Sequence, residues 1–265
     1  MSRRAYLLVG LFALALVLLP LLFWYDTWFG RQLSDTKVEE YLNDTTKPRR
    51  MQQALARIGE RVTRGDRAVT RWYPRIIALG SHESLELRNT AAWIMGQDPR
   101  HEPFRGALQK MLGDASPLVR RNAALALAAF QDASGRAELR AMLRPHEVKA
   151  PTSGVVKYRL KAGEYVNPGT LLGRVGETEV RVELPGEVRT LLAREGASVE
   201  ASQPLAEIAA DDGHAWEALR ALYVVGGRED LEDIGRFARG GAGRQEKLVE
   251  QARLAAQHIT SREKR

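Results

Sequence analysis

The five histidines of this 265-residue chain are its best candidates for acid–base or metal chemistry, and their spacing supports neither. His82, His101 and His146 are each followed by a glutamate, but none has the second histidine that a zinc-binding H-E-x-x-H helix requires. His214 and His258 stand alone. The chain has no cysteine, and it lacks a phosphate-binding P-loop and a G-x-S-x-G nucleophile motif. The sequence therefore predicts a protein that is not an enzyme, with no catalytic residues, no metal and no cofactor.

A series of arginines three or four positions apart is the strongest candidate for a binding surface. Residues with that spacing share one face of a helix. Trp72 is expected to lie exposed among them, and Trp93 is a second aromatic candidate for which the core is the favoured position. The surface would contact lipid headgroups or an acidic partner; the alternative, and the commoner case, is a solvated charged face. This arginine stripe consists of Arg57, Arg61, Arg64, Arg67, Arg71 and Arg75.

The net charge of +7 suits an anionic partner, but it does not indicate nucleic acid. Acidic residues are interleaved along the whole chain, and no nucleic-acid-binding motif with interspersed aromatic residues is present. The sequence gives no indication of the oligomeric state.

Two similar helical segments indicate an internal repeat. "LRNTAAWIMG" begins at Leu87 and "RRNAALALAA" begins at Arg120, so that the aligned Asn89 and Asn122 lie 33 positions apart. A polar turn precedes each segment and a second helix follows it, "EPFRGALQKMLG" in one case and "GRAELRAMLR" in the other. "KPRRMQQALARIGERVTRG" and "DRAVTRWYPRIIALG" fit an earlier pair. Helix pairs repeated every 30–45 residues or so predict an α-solenoid, with an ordinary helical bundle as the alternative.

The second repeat resembles the HEAT family. Its pattern D-x-x-P-x-V-R-x-x-A-A-x-A-L, carried by Asp114, Pro117, Val119, Arg120 and residues 123–127, is similar to the short bacterial HEAT-like repeats of bilin lyases. The resemblance implies stacked helix pairs, but it implies no lyase chemistry because one fold hosts many activities.

Residues 146–210 lose the helical pattern and show two similar halves. Counted from Gly154 and from Gly186, which are 32 positions apart, valine follows at +2 and leucine at +6 in both. Short strands with glycines at turns of positive φ are expected, and the two halves should clasp into a flattened β-barrel. Three amphipathic helices follow, so this module is either inserted into the helical array or stacked at its end.

The match A-P-x-S-G-x-V…G-x-x-V-x-x-G-x-x-L at residues 150–172 resembles the biotinyl/lipoyl fold and the barrel-sandwich module of periplasmic adaptor (membrane fusion) proteins. In the carriers of that family, a lysine in the turn between the halves bears the cofactor. The turn here, "VGETEVRVELPG" at 175–186, has no lysine, and Lys157 and Lys161 lie in the first half. The resemblance thus implies the shape without the cofactor. Adaptors insert a long coiled coil at this turn, whereas this turn is short.

An apolar stretch at 5–25, "AYLLVGLFALALVLLPLLFWY", is long enough to cross a bilayer. Two arginines precede it, and Trp24 and Trp28 are placed as an interfacial aromatic belt would be. A cleaved signal peptide is the alternative, but no small-x-small cleavage site follows. We expect a single-pass protein of the bacterial inner membrane with a cytoplasmic N-terminus and a periplasmic body.

The predicted fold is mainly α with a β module: an N-terminal transmembrane helix, an α-solenoid of HEAT-like helix pairs and a small barrel-sandwich hybrid. The expected divisions are 1–4 cytoplasmic N-terminus, 5–25 transmembrane helix, 26–46 linker, 47–145 HEAT-like repeats, 146–210 barrel-sandwich module, 211–260 C-terminal HEAT-like helices and 261–265 tail.

The expected function is a membrane-anchored extracytoplasmic scaffold that binds an integral membrane complex, such as a respiratory one, as an assembly or accessory subunit. An adaptor of an inner-membrane transport or efflux system is one alternative. A biotinyl/lipoyl carrier or lyase-type enzyme is another, disfavoured by the missing lysine.

Overall fold

The computed structural model describes residues 14–21, 33–240, 245–262 and 264. Within them the chain is mainly helical and carries one β module, which confirms that part of the predicted fold. The α-helices from residue 33 onward are α1 (Asp35–Asn43), α2 (Pro48–Thr63), α3 (Tyr73–Leu79), α4 (Leu85–Gly96), α5 (Glu102–Met111), α6 (Pro117–Ala129), α7 (Arg136–Ala141), α8 (Asp212–Val225), α9 (Leu231–Ala238) and α10 (Glu246–Arg262). Short 3₁₀ helices lie at Arg67–Trp72, Ala133–Gly135 and Arg228–Asp230.

No helix of the described residues has both the length and the apolar character needed to cross a membrane. Residues 14–21 are helical. The rest of the predicted span at 5–25, the predicted cytoplasmic N-terminus and the start of the predicted linker lie outside the described residues. The transmembrane helix stays a prediction.

The chain divides into two compact units, 1–57 and 58–265. In the first unit, the hydroxyl of Ser34 caps α1 by accepting a backbone N–H from its first turn at 3.4 Å. Arg50 Nη1 donates to the Asp44 carboxylate at 3.1 Å, which links the start of α2 to the end of α1.

In the second unit the first helices of successive pairs form an array. α4 packs against α6, α6 packs against α8, and α10 completes the array by packing against α8 and α9. The residues Ser84 and Ser116 at the N-caps of α4 and α6 are 32 positions apart, as are Arg88 and Arg120, which follow them by four. The repeat is therefore one residue shorter than the spacing of the asparagines predicts, because the caps and not the asparagines are equivalent.

The β module is inserted within this array and does not stack at its end. α8, which follows the module, packs against α6 and α7, which precede it. Apolar residues from both sides of the insertion, among them Leu139, Met142, Leu219 and Leu222, share one buried cluster. The helical core is thus continuous across the module.

Two buried aspartates connect the helices on either side of the insertion. Asp233 accepts hydrogen bonds from Arg144 Nε at 2.8 Å and Nη2 at 2.6 Å. Asp230 accepts one from Arg136 Nε at 3.0 Å and forms an ion pair with Arg140 Nε at 3.3 Å. Because both aspartates are at most 1% exposed, removing their arginines would leave costly unpaired buried charges.

The β module consists of two four-stranded antiparallel sheets around one apolar core. Gly154 and Gly186 have φ values of 155° and 154°, and Gly163 and Gly196 have values of 91° and 76°, as the paired halves predict. The strand order is β1-β8-β6-β3 in one sheet and β5-β4-β2-β7 in the other, for strands β1 (His146–Lys149), β2 (Gly154–Tyr158), β3 (Tyr165–Val166), β4 (Leu171–Val175), β5 (Thr178–Arg181), β6 (Gly186–Leu191), β7 (Ser198–Val199) and β8 (Pro204–Ile208).

Candidate functional site

Two arginines of the stripe close over Trp72 within the second unit. The guanidinium carbon of Arg61 lies 5.2 Å from the Trp72 ring centroid, and that of Arg71 lies 4.2 Å from it. Arg61 Nε also donates to Asp66 at 2.7 Å, and this bond holds the pKa of the Asp66 carboxyl below its usual range. Trp72 is only 2% exposed, so the expectation that it lies at the surface is wrong. Its ring is instead buried, and the two guanidinium groups lie over it in cation–π contacts.

The other stripe arginines have different surroundings. Arg64, in the turn just after α2, pairs with Glu60 of that helix at 2.5 Å. Arg67 is exposed and Arg75 is half-buried in the second unit, and Arg57 is half-buried in the first. The six arginines are therefore distributed over α2, the turn after it, the 3₁₀ helix and α3, and several of them are already engaged in intramolecular contacts. Partner binding by the stripe stays a prediction.

Trp93, in contrast to Trp72, reaches the surface. It is 44% exposed, so its expected core position is wrong. Its ring rests on Gly59 of α2, where a Cβ atom would lie 2.4 Å from Trp93 Cζ3. Because glycine leaves this space, the indole packs against Gly59 and its outer edge stays accessible.

Trp93 belongs to a groove of about 570 Å³ that crosses the first helices α4, α6 and α8. We call it the first-helix groove. Sequence reasoning missed this groove because the apolar residues of all three helices are predicted to lie in the core. Only the packing of the helices shows which of these residues stay at the surface. The lining residues are Trp93, Gly96, Gln97, Asn122, Leu125, Ala126, Ala128, Ala129, His214, Glu217, Arg220, Ala221 and Val224.

Small residues bring the helices beneath this groove close together. A Cβ atom on Gly96 would lie 2.8 Å from Ala126 Cβ and 3.0 Å from its Cα, so α4 and α6 are nearly in backbone contact. Between the same helices, Asn122 Nδ2 donates to Asn89 Oδ1 at 2.6 Å. A carboxamide has two donors and an acceptor with two lone pairs, so each of these amides keeps capacity for a further hydrogen bond. The groove combines an apolar floor, an accessible indole and amide groups, which suits a polypeptide chain.

Among the described residues, no three histidine or acidic side chains come together in an arrangement that could hold a metal ion.

Comparison with known proteins matches residues 73–150 to the family of HEAT repeats. The matched region begins at α3 and ends just after β1. No curated protein gives a significant match to the chain.

Two solved structures of artificial proteins are similar over most of the chain. The first is an engineered protein from a structural genomics consortium, with 13% identity, coverage of 84% of this chain and 78% of that chain, and a TM-score of 0.46. The second is a designed armadillo repeat protein, with 12% identity, coverage of 84% and 80% respectively, and a TM-score of 0.43. The family match confirms the resemblance found in the sequence: the chain carries HEAT-like repeats.

Proposed function

We propose that this chain is a protein-interaction scaffold that binds a polypeptide segment of a membrane protein in the first-helix groove. The observation that carries the proposal is the accessible indole of Trp93 in a groove that crosses three successive helices. Tryptophan is enriched among the few residues that supply most of the binding energy of protein interfaces. A segment lying across stacked repeats contacts several of them at once, as in other solenoids.

The chemistry of the groove favours a polypeptide over a charged small molecule. Its charged lining residues are one acid and one base, Glu217 and Arg220, so it has no net charge to select an ion. Trp93 and Leu125 can cover an apolar side chain of the partner, and the Asn122 amide can bond to its backbone. The partner would therefore present at least one apolar anchor residue on an extended or helical segment.

The β module fits this scaffold as a domain without an attached cofactor. Its two sheets of interleaved strands support the resemblance to the barrel-sandwich fold. The hairpin between β4 and β5 turns at Gly176 and Glu177, and no lysine occurs in residues 175–186. A module without an acceptor lysine or a coiled-coil insertion would serve to hold the two parts of the helical array and to present its own surface.

The uncharged stretch at 5–25 supports an anchor in the bacterial inner membrane, with the repeats and the module in the periplasm. Anchoring raises the effective concentration of the scaffold near other membrane proteins. A weak groove contact then suffices for stable association, and an integral membrane complex, such as a respiratory one, is the proposed partner.

The test is capture of the partner by full-length tagged protein from cross-linked membranes solubilised in mild detergent, with mass spectrometry as the readout. The variant is Trp93→Ala, for which we expect recovery of the partner to fall at least about tenfold, since a central interface tryptophan typically contributes about 2 kcal/mol or more.

Leu254→Ala is the matched control. Leu254 lies on α10 outside the groove and is 46% exposed, so this variant also removes an exposed apolar side chain. Recovery with Leu254→Ala should equal that of the wild-type protein. Equal recovery with Trp93→Ala, or equal losses with both variants, would refute binding in the groove.

A further inference from the structure

A second cavity, of about 900 Å³, lies between α6 and α7 on one side and the β module on the other. Strand β1 and the segment from β5 to the start of β6 form the module side. We call this cavity the module cleft. Residues relevant to its chemistry are Arg120, Arg121, Glu138, Arg144, His146 and Arg181.

Arg121 stands out among the cations of the module cleft because it is buried and unpaired. It is 6% exposed, yet it makes no hydrogen bond or ion pair within the part of the chain that the structure describes. By comparison, Arg120 Nε donates to Glu138 at 2.8 Å, and Arg144 pairs with Asp233. Burial lowers the pKa of Arg121 to about 10, so the guanidinium is still charged at neutral pH.

The repeat architecture does not need this arginine. Arg88 and Arg120 each donate through Nη1 to the backbone carbonyls five and six residues earlier in the chain, at distances of 2.9 to 3.1 Å. These two residues are the equivalent structural arginines of successive repeats. Arg121 is an additional arginine, directed to the module cleft and not to the loop between helices.

The carboxylates whose charge acts on Arg121 are occupied elsewhere. Glu138 is bonded to Arg120, as described above. Asp211 Oδ1 accepts the backbone N–H of His214 at 2.8 Å, and Asp211 Oδ2 accepts the hydroxyl of Tyr165 at 2.7 Å. Arg121 is therefore attracted by these two carboxylates without a hydrogen bond to either, and its N–H donors are left to pair with a complementary group from outside the chain.

We propose that the module cleft binds a small organic anion, whose carboxylate or phosphate group is held by the guanidinium of Arg121. The planar guanidinium presents parallel N–H donors that match two oxygens of either group. The cavity volume lies within the range of roughly 300–1,000 Å³ that is usual for small-molecule sites, so the ligand can be larger than a bare ion.

Thermal unfolding in the presence of two probes tests the proposal, with sodium chloride at matched ionic strength as the reference. The probes are citrate for a carboxylate ligand and inorganic phosphate for a phosphate ligand. Each is used at about 10 mM, which is about ten to a hundred times the expected dissociation constant. At least one should raise the Tm of the full-length protein by about 3–10 °C. The probe that stabilises identifies the chemical group; no rise with either one overturns the proposal.

Two variants locate the effect. Arg121→Met keeps the bulk of the side chain without its charge, and it should abolish the rise in Tm. Arg181→Met removes a cleft arginine that is 53% exposed and paired with Glu179, and it should keep the rise. An equal rise in Arg121→Met and wild-type protein overturns the proposal.

A measurement on the wild-type protein covers the case in which Arg121→Met does not fold. In proton NMR, the ring resonances of His146, which lies in the module cleft and within the field of Arg121, should move on addition of the stabilising probe. Those of His258 on α10, outside the cleft, should stay in place. Resonances of His146 that stay in place overturn the proposal.

Discussion

Replacing His146 with asparagine should remove a defined part of the acid sensitivity of this protein. Burial, and after it the charge of Arg121, lowers the pKa of His146 from 6.5 to about 4. The charged imidazolium is therefore disfavoured in the folded state but not in the unfolded state. The stability associated with the neutral ring is fully present above the unfolded pKa of 6.5, and it is lost progressively as the pH falls from 6.5 towards 4.

The size of this loss follows from the difference between the two pKa values. Each unit of difference corresponds to about 1.4 kcal/mol, so the full loss is about 3 kcal/mol before a reduction for the partial exposure of the ring. We expect His146 to contribute a loss of about 1 kcal/mol at pH 5.5 and about 2 kcal/mol at pH 4.5.

The assay is urea unfolding of wild-type protein and His146→Asn at pH 7.0, 5.5 and 4.5. Titration of carboxylates affects both proteins equally, so the difference between their free energies of unfolding isolates the histidine. As the pH falls, the free energy of unfolding of the wild type should decrease relative to that of the variant, by about 1 kcal/mol at pH 5.5 and about 2 kcal/mol at pH 4.5. Parallel pH profiles for the two proteins would show that His146 is not held neutral by its surroundings.

Arg121→Met provides a further check on the same reasoning. Removing the neighbouring charge should raise the pKa of His146, but not to 6.5, because burial is the larger cause. A titration of the His146 ring by NMR measures this directly, and an unchanged midpoint would contradict the proximity of the two charges.

Two further predictions concern helix packing, and both are measured by urea unfolding. Arg144→Gln leaves the buried carboxylate of Asp233 paired, among the described residues, only with Arg236 at 3.4 Å, so it should lower the free energy of unfolding by about 3 kcal/mol. Adding Asp233→Asn should recover part of this loss. Additive losses from the two substitutions would refute the pairing. Gly96→Ala should cost about 1–3 kcal/mol because the added Cβ meets the backbone of α6, whereas Gly106→Ala, where a Cβ meets nothing within 4 Å, should stabilise the protein by about 0.5–1 kcal/mol. Equal effects at the two glycines would contradict the close approach of α4 and α6.

The local features of the fold are predictable because local chemistry determines them. The polar turn before α4 contains its N-cap, Ser84, and the turn before α6 contains Ser116. The paired Gly154 and Gly186 adopt the positive φ that other residues avoid. Periodicity likewise distinguishes the helices from the strands of the β module.

The surface features are not predictable in the same way, because they depend on packing between distant segments. Trp72 and Trp93 both occur in helical, partly apolar sequence, and their exposures are the reverse of those expected. Trp72 is covered by Arg61 and Arg71, and Trp93 stays accessible because Gly59 makes room for its ring. Nothing in the pattern of the helices contains this information.

The burial of Arg121 in the module cleft is likewise not predictable from the sequence. The sequence shows two adjacent arginines, Arg120 and Arg121, with no sign that they differ. The register of the repeat assigns the structural role to Arg120, and Arg121 lies buried in the lining of the module cleft without a hydrogen bond. Both facts require the three-dimensional arrangement of segments far apart in the chain.

Photo-cross-linking from position 93 is the most direct test of the proposed scaffold function. A photoreactive phenylalanine derivative placed at Trp93, and in a second protein at Leu254, is irradiated in intact membranes before purification and mass spectrometry. We predict a discrete cross-link from position 93 to an integral membrane protein, and none to that protein from position 254. Absence of a cross-link from position 93, or the same products from both positions, would contradict partner binding in the first-helix groove.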